Sequence, residues 1–297
     1  PPSIGMLASM GRSRVWVTKR PNVAILATGN EIVSPGKDLA PGKLFDINSY
    51  TVASAVRRYG GVPHLIGTAK DDMADLRSKL QEGLRSDIII TSAGVSNGAF
   101  DMVKDVLEEL GSISFWSIRM RPSRPLAFGY LTSPDGRRVP LIGLPGNPVS
   151  ALVALVEFGR PALAKMMGKI PAPLGVVSAI LEEPIGNPDS RRVFARVTLQ
   201  NREGVLHARP TGSQGSNVLT SLVLAQGLAI CPEGSPGLPA NTEVRVQLLD
   251  WLDHSALTPQ REEVRPERRV GKATAREKQR TRPRLVDRSR MNAAIAD

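Results

Sequence analysis

Residues 87–101, with the sequence DIIITSAGVSNGAFD, decide the fold of this chain. The apolar run at 88–90 predicts a buried strand, and the Gly-rich segment after it is typical of a turn into a helix. Residues 139–150, VPLIGLPGNPVS, repeat this arrangement. Glycine lets backbone N–H groups approach a ligand, and a following helix N-terminus favours negative charge. Two such loops predict a pocket for an anionic small molecule at the carboxyl ends of parallel strands.

Around these loops, apolar runs alternate with amphipathic patterns from residue 23 onward. Further strands are predicted at 23–28 and 62–68, and one long helix is predicted near 150–167. The alternation predicts an α/β fold with an open, mostly parallel sheet and helices on both faces. A separate strand is predicted before it, at 14–18.

The helical patterns stop after a Pro-containing linker at 169–173. Six short strand candidates then predict a small all-β, barrel-like domain. They lie at residues 176–181, 192–200, 205–209, 217–224, 228–231 and 243–249. The predicted division is an N-terminal or linker remnant at 1–20, an α/β domain at 21–168, the barrel at 174–250 and a basic, disordered tail at 254–297.

The composition excludes several classes of protein. Apolar residues make up 41% of the 297 residues, and aromatic residues only 4%, so the core must be mainly aliphatic. The single cysteine, Cys231, excludes an intrachain disulfide, and no Cys/His cluster suits a metal. No run approaches the roughly 20 apolar residues of a membrane helix, and the opening residues lack the basic and apolar regions that are typical of a signal peptide. We therefore expect a cytoplasmic protein. Because the chain opens with Pro1-Pro2, we also expect it to be part of a longer one.

The net charge of +11 is concentrated near the end of the chain, where residues 261–290 hold twelve Lys/Arg against five Asp/Glu. Such a segment is compatible with nucleic-acid binding, but a solvated tail is the simpler interpretation. Nucleic acid is therefore not favoured as a partner.

Acidic residues follow the predicted strands. Glu31 comes after the first strand, Asp71 and Asp72 after the second, and Asp101 closes the first Gly-rich loop. Carboxylates beside phosphate-binding loops suit a Mg²⁺-assisted phosphate reaction. Each aspartate alone is also an ordinary helix N-cap, and the pattern leaves both interpretations open.

Three arginines, Arg119, Arg121 and Arg124, lie between two predicted strands. Guanidinium groups match phosphate and tetrahedral oxyanions, although a solvated turn explains the charges equally well. The GK[ST], HExxH and CxxC motifs are absent from the sequence.

Five ordered motifs resemble the molybdopterin molybdenumtransferase family, which includes the MoeA type and the E domain of gephyrin. They are TGNE at 28–31, DIN at 46–48, SAGVSNGAFD at 92–101, RPSRPLAFG at 121–129 and LPGNPVS at 144–150. The resemblance implies a molybdopterin-binding α/β domain followed by a small β-barrel. It also implies insertion of molybdate into adenylylated molybdopterin, with release of AMP in a step that depends on a divalent cation.

The resemblance also implies site residues and partners. By motif, Glu31, Asp71 and Asp101 would hold Mg²⁺ and act in catalysis, with the choice of Asp71 over Asp72 left open. The implied substrate-binding residues are Thr28, Asn48, Ser92, Gly94, Ser96, Gly98, Arg121, Arg124, Pro145, Gly146, Asn147, Ser150, Arg196 and Ser216. A homodimer and handover of the pterin from a molybdopterin adenylyltransferase are implied too, while molybdate and tungstate both stay open as the oxyanion.

Several positions depart from the family pattern. Asn30 stands where the motif has Asp, Ala93 and Ser123 stand where it has Gly, and Arg121 and Arg124 stand where it has Lys. Family members also carry N-terminal domains before this core, which complete the active site partly across a dimer. These departures motivate an alternative function, a non-catalytic molybdopterin-binding or scaffold protein, or an inactive fragment.

Overall fold

The computed structural model describes residues 2–93 and 100–251, and for residues 100–104 only the backbone. Six strands form the first sheet. They are β1 (Asn22–Thr28), β2 (Val62–Ala69), β3 (Ile88–Ser92), β4 (Gly111–Ser117), β5 (Pro125–Thr132) and β6 (Arg138–Leu144). Their order is β2-β1-β3-β6-β5-β4, and only β5 runs antiparallel to its neighbours. The carboxyl ends of β1, β3 and β6 therefore meet at one edge.

Helices cover both faces of this sheet. The helices of the described residues are α1 (Pro2–Ser9), α2 (Asn48–Arg58), α3 (Met73–Gly83), α4 (Phe100–Leu110), α5 (Pro148–Ala154), α6 (Arg160–Met166) and α7 (Thr220–Val223). On one face α2 and α5 pack against alternate residues of β1 and β3, and on the other face α3 and α4 pack against the intervening ones. This α/β domain confirms the predicted open, mostly parallel sheet. No helix in the described part of the chain is long and apolar enough to cross a membrane.

The later strands close into a barrel, as predicted. They are β7 (Val176–Leu181), β8 (Arg192–Arg202), β9 (Val205–Pro210), β10 (Gly227–Cys231) and β11 (Glu243–Leu248). The order β9-β7-β11-β10-β8 closes because β8 also pairs with β9. Three two-residue ladders supplement the sheets: Ile32–Val33 with Leu44–Phe45, Ile185–Gly186 with Gly237–Leu238, and Met120–Arg121 with the start of β8.

Three predicted elements differ from the structure. Residues 14–18 form no strand, because their β-branched residues find no neighbouring strand, and Trp16 is fully exposed. The strand predicted at 217–224 is wrong, since this segment contains the short helix α7. The predicted long helix is divided by a π-helical turn at Leu155–Gly159. Pro161 follows that turn and has no N–H to continue the α-helical bonding.

Candidate functional site

A cavity of about 1050 Å³ lies at the carboxyl ends of β1, β3 and β6. From the α/β domain it is lined by Thr28, Glu31, Asn48, Ser92, Arg121, Arg124, Pro145, Gly146, Asn147 and Ser150, and from the barrel by Ser216. Glu31 and the turn 145–148 thus border the same space. Such a position, outside the ends of parallel strands, is where α/β folds bind ligands.

The end of β1 holds Glu31 through the backbone of Gly29. Gly29 has a φ of +127°. A Cβ added there would lie 2.7 Å from Oε1 of Glu31, so the carboxylate is folded back over the glycine. Thr28 is buried, and its hydroxyl donates to the carbonyl of Ser92 at 3.5 Å, which joins β1 to the end of β3. Glycine at position 29 is thus required by both the backbone conformation and the side chain above it.

Asp71 and Asp72 have different surroundings. The N–H of Asn30 donates to Oδ2 of Asp71 at 3.2 Å, and the N–H of Asp71 donates to Oδ1 of Asn30 at 3.2 Å. Asp72 instead caps α3 by accepting from the N–H of Asp75 at 2.8 Å. Asp71 is therefore joined to the residue beside Glu31, whereas Asp72 has a structural partner of its own.

The third predicted carboxylate, the side chain of Asp101, lies outside the described residues, as do Gly94, Ser96 and Gly98. Within the described part of the chain, no three His, Cys, Asp or Glu side chains are grouped to hold a metal ion. Glu31 and Asp71 thus provide only part of the predicted set.

The second Gly-rich loop connects three parts of the cavity wall. Nδ2 of Asn48, at the start of α2, donates to the carbonyl of Gly146 at 2.7 Å. Nδ2 of Asn147 donates to Oγ of Ser216 at 2.9 Å, and the N–H of Val149 donates to the carbonyl of Ser216 at 3.1 Å. The loop is therefore fixed to both α2 and the barrel, and residues of both domains line the cavity.

The arginine turn also connects the domains. Met120 and Arg121 pair with the start of β8. Nη2 of Arg121 donates to the carbonyl of Gly186 at 2.5 Å, while Nε of Arg124 donates to Oγ of Ser117 at 3.0 Å. Both guanidinium groups are oriented by neutral oxygen atoms and keep donors for an anion.

Arg196 is only 1% exposed, although its side-chain partners are neutral. Nε donates to Oγ of Ser221 at 3.1 Å and Nη2 to the carbonyl of Gly215 at 3.1 Å. Burial, together with the nearby charge of Arg121, lowers the pKa of Arg196 to about 10. Arg196 does not itself line the large cavity, although it is hydrogen-bonded to Gly215, which does. It lines a smaller one of about 360 Å³, which shares Arg121 and Gln214 with the large cavity.

Asp46, Phe45, Arg191 and Gln214 are among the residues of the cavity wall that the sequence reasoning did not identify as site residues. Asp46 is buried and accepts from the N–H of Ser49 at 2.9 Å, which fixes the start of α2. Gln214 accepts from the N–H of Arg196 at 2.8 Å. The Asp46 capping pattern was readable in the sequence, whereas Arg191 and Gln214 are held at the site by contacts with residues distant in sequence, Met120 and Arg196.

Comparisons with known proteins agree with this geometry. Residues 24–165 match the family described as "Probable molybdopterin binding domain", and residues 178–249 match "MoeA C-terminal region (domain IV)". The chain is 31% identical over 258 residues to the molybdopterin molybdenumtransferase of Haemophilus influenzae, covering 85% of this chain and 62% of that protein. It is 34% identical over 254 residues to molybdopterin molybdenumtransferase 2 of Mycobacterium tuberculosis, covering 83% and 61%. The chain thus spans less than two thirds of these relatives.

Solved structures give the same result. The molybdopterin biosynthesis MoeA protein from Pyrococcus horikoshii superposes with a TM-score of 0.68 at 31% identity, over 83% of this chain and 59% of that one. A molybdenum cofactor biosynthesis protein from Pyrococcus furiosus gives a TM-score of 0.60 at 26% identity, over 84% and 75%. With the two domains in the same order and the cavity between them, this chain belongs to the molybdopterin molybdenumtransferase family.

Proposed function

We propose that this chain binds adenylylated molybdopterin in the large cavity and contributes to the insertion of molybdate, with release of AMP. One observation carries the proposal: a single cavity combines the guanidinium groups of Arg121 and Arg124, the 145–148 turn and the carboxylate of Glu31. The positive groups suit the phosphates of such a substrate, and the carboxylate lies within the same space. The relatives that are named for this activity are longer proteins, of which the chain spans less than two thirds.

The proposed contacts follow the structure. Arg121 and Arg124 neutralise the phosphoanhydride, while Asn147, Ser150 and Ser216 position it from the loop and the barrel. Thr28, Asn48, Ser92, Pro145 and Gly146 shape the wall, and Arg196 supports an oxyanion through the smaller cavity that it shares with Arg121. The predicted roles of Gly94, Ser96 and Gly98 remain part of the proposal.

We further propose that Glu31 and Asp71, with Asp101, hold a divalent cation. Carboxylate oxygens are the ligands that Mg²⁺ prefers, and the bonds between Asn30 and Asp71 support Asp71 over Asp72. The ion would neutralise charge on the phosphoanhydride as AMP leaves. Of this set, Glu31 and Asp71 lie in the described part of the chain. Glu31 follows β1 and Asp71 follows β2, and each would supply carboxylate oxygens to the ion.

The first test is binding followed by turnover. We expect calorimetry to detect molybdopterin binding at micromolar concentration or better, and Glu31→Gln to abolish Mg²⁺-dependent AMP release in the full-length protein while binding persists. Glu243→Gln, an exposed barrel carboxylate, is the matched control and should retain activity. Absence of molybdopterin binding by the folded protein would overturn the proposal.

The alternative function is binding without turnover. It is favoured by two residues in the cavity wall that replace glycines of the family motif. Ala93 and Ser123 both have positive φ, at 71° and 79°. A scaffold protein would bind molybdopterin with similar affinity but release no AMP, with or without Mg²⁺, even in the full-length form. The same assay therefore separates the two functions.

The assembly is part of the proposal as well. We propose a cytoplasmic homodimer that receives its pterin from a molybdopterin adenylyltransferase, with either molybdate or tungstate as the oxyanion. Analytical ultracentrifugation of the full-length protein tests the dimer. Product analysis with each oxyanion in turn tests the choice between them.

A further inference from the structure

The large cavity is lined by side chains of two chemical kinds. Arg121, Arg124 and Ser216 are charged or polar. Five apolar side chains also line the cavity and are here called the apolar wall: Ile32, Leu39, Leu44, Phe45 and Ile47. Ile32, Leu44 and Phe45 belong to one short ladder. A cavity that offers both charged and apolar surface fits a ligand that joins phosphate to a ring.

The apolar wall presents surface that the fold does not bury. Leu44 is 60% exposed and Phe45 is 41% exposed. Contiguous exposed apolar side chains beside a cavity mark a ligand-binding surface. Phe45 is the single aromatic residue among the described residues that line this cavity, so it is the side chain suited to contact the face of a ring.

Hydrogen bonds fix this wall to the segment that carries Glu31. The N–H of Leu44 donates to the carbonyl of Glu31 at 2.8 Å, and the N–H of Asp46 donates to the carbonyl of Val33 at 2.8 Å. Nζ of Lys43 donates to the carbonyl of Asn30 at 2.8 Å. This short ladder therefore fixes the position of Phe45 relative to the backbone of Glu31. A ring that contacts Phe45 is then held at a defined position relative to Glu31.

We propose that the apolar wall binds the pterin ring of the substrate, that Phe45 determines specificity for that ring, and that the phosphate end points toward Arg121 and Arg124. This inference rests on the proposed function and names the orientation of the substrate in the same cavity. The ring contact supplies affinity that a phosphate group alone cannot obtain.

The experiment compares two ligands. Phe45→Ala should weaken molybdopterin binding about tenfold by calorimetry, because the aromatic contact is lost. Its affinity for inorganic phosphate, which has no ring, should stay within about twofold of the unchanged protein. Phe45→Tyr should restore molybdopterin binding, and Phe45→Leu, which keeps apolar volume, should remain weaker than Phe45→Tyr. Phe128→Ala, which removes a 51% exposed aromatic outside the cavity, should change neither affinity.

The outcomes separate the inference from the function on which it rests. If the unchanged protein and Phe45→Ala bind molybdopterin equally, the ring orientation is overturned while the proposed function stands. Equal weakening of molybdopterin and phosphate would also overturn it, because Phe45 would then act on the fold alone. If the unchanged protein binds no molybdopterin, both proposals fail.

Discussion

Two residues that stand where the family motif has glycine, Ala93 and Ser123, adopt a left-handed backbone conformation. Ala93 has a φ of 71° and Ser123 a φ of 79°. Ser123 is compensated by its hydroxyl, which donates to the carbonyl of Ser150. Ala93 has no such group, and a Cβ at Gly146 would lie 3.3 Å from its Cβ. A left-handed L-residue costs roughly 1–2 kcal/mol, so Ala93 is a local site of strain.

Ala93→Gly should raise the free energy of unfolding by about 0.5–1 kcal/mol, because relief of the left-handed strain exceeds the entropy that glycine adds to the unfolded chain. Urea unfolding measures it. The same replacement at Ala53, inside α2, should lower stability instead. A loss of stability in Ala93→Gly would show that the positive φ is not the source of strain.

The absence of a side chain at Gly29 leaves room for the carboxylate of Glu31, so replacing Gly29 should change the activity. Gly29→Ala forces the carboxylate of Glu31 out of its position, because the new Cβ would lie within 3 Å of both its oxygens. We expect AMP release to fall by about a hundredfold or more, since a misplacement of about 1 Å can cost that much, while molybdopterin affinity changes little. Gly175→Ala, whose Cβ would meet only Leu248 at 3.7 Å, is the control. Full activity in Gly29→Ala would remove Glu31 from the reaction.

Among the helices and strands, apolar periodicity correctly predicted those whose side chains are buried in the core. The runs at 23–28 and 88–90 are strands because both faces of the sheet are covered. Residues 14–18 have equal strand propensity but no neighbour to bond, which the local sequence cannot reveal. The ladder of Ile32–Val33 with Leu44–Phe45 was missed because two residues carry no period. The apolar wall was therefore invisible in the sequence.

The π-helical turn contains Glu157, a carboxyl group that makes the stability of the protein depend on pH. Burial raises the pKa of Glu157, opposed by the amide of Gln247, which donates to its Oε1 at 2.6 Å. The folded protein therefore binds this proton more tightly than the unfolded chain. The resulting stability is present below the ordinary glutamate pKa and is lost as pH rises through the raised value. Glu157→Gln should flatten this decline in urea unfolding at a series of pH values.

The control for that series is Glu243→Gln, which removes an exposed carboxylate from β11 and should leave the decline unchanged. An identical pH dependence in Glu157→Gln and the unchanged protein would show that Glu157 is not the group responsible.

For the whole molecule, the order of the two domains followed from the switch between helical and strand patterns. The cavity was predictable only in part, because the motifs indicated the strand ends and the resemblance implied Ser216, but neither indicated that Arg191 and Gln214 line the site from the barrel. The boundaries at 21–168 and 174–250 stay predictions. Phe194, Leu222 and Leu249 from the second part of the chain share one core cluster with α2 and α5, so the two domains are packed together.

This shared core predicts that both domains unfold in one transition. Phe194→Ala should cost about 3–5 kcal/mol, because Phe194 is 5% exposed and its removal leaves a cavity in the common cluster. Hydrogen exchange should show the same loss of protection in β1 of the α/β domain and β10 of the barrel, since both amide sets exchange through global unfolding. Val205→Ala, at a half-exposed barrel position, should leave the exchange protection of both strands unchanged. If exchange in β10 accelerates while β1 is unaffected, the barrel unfolds on its own and the apolar contact does not couple the domains.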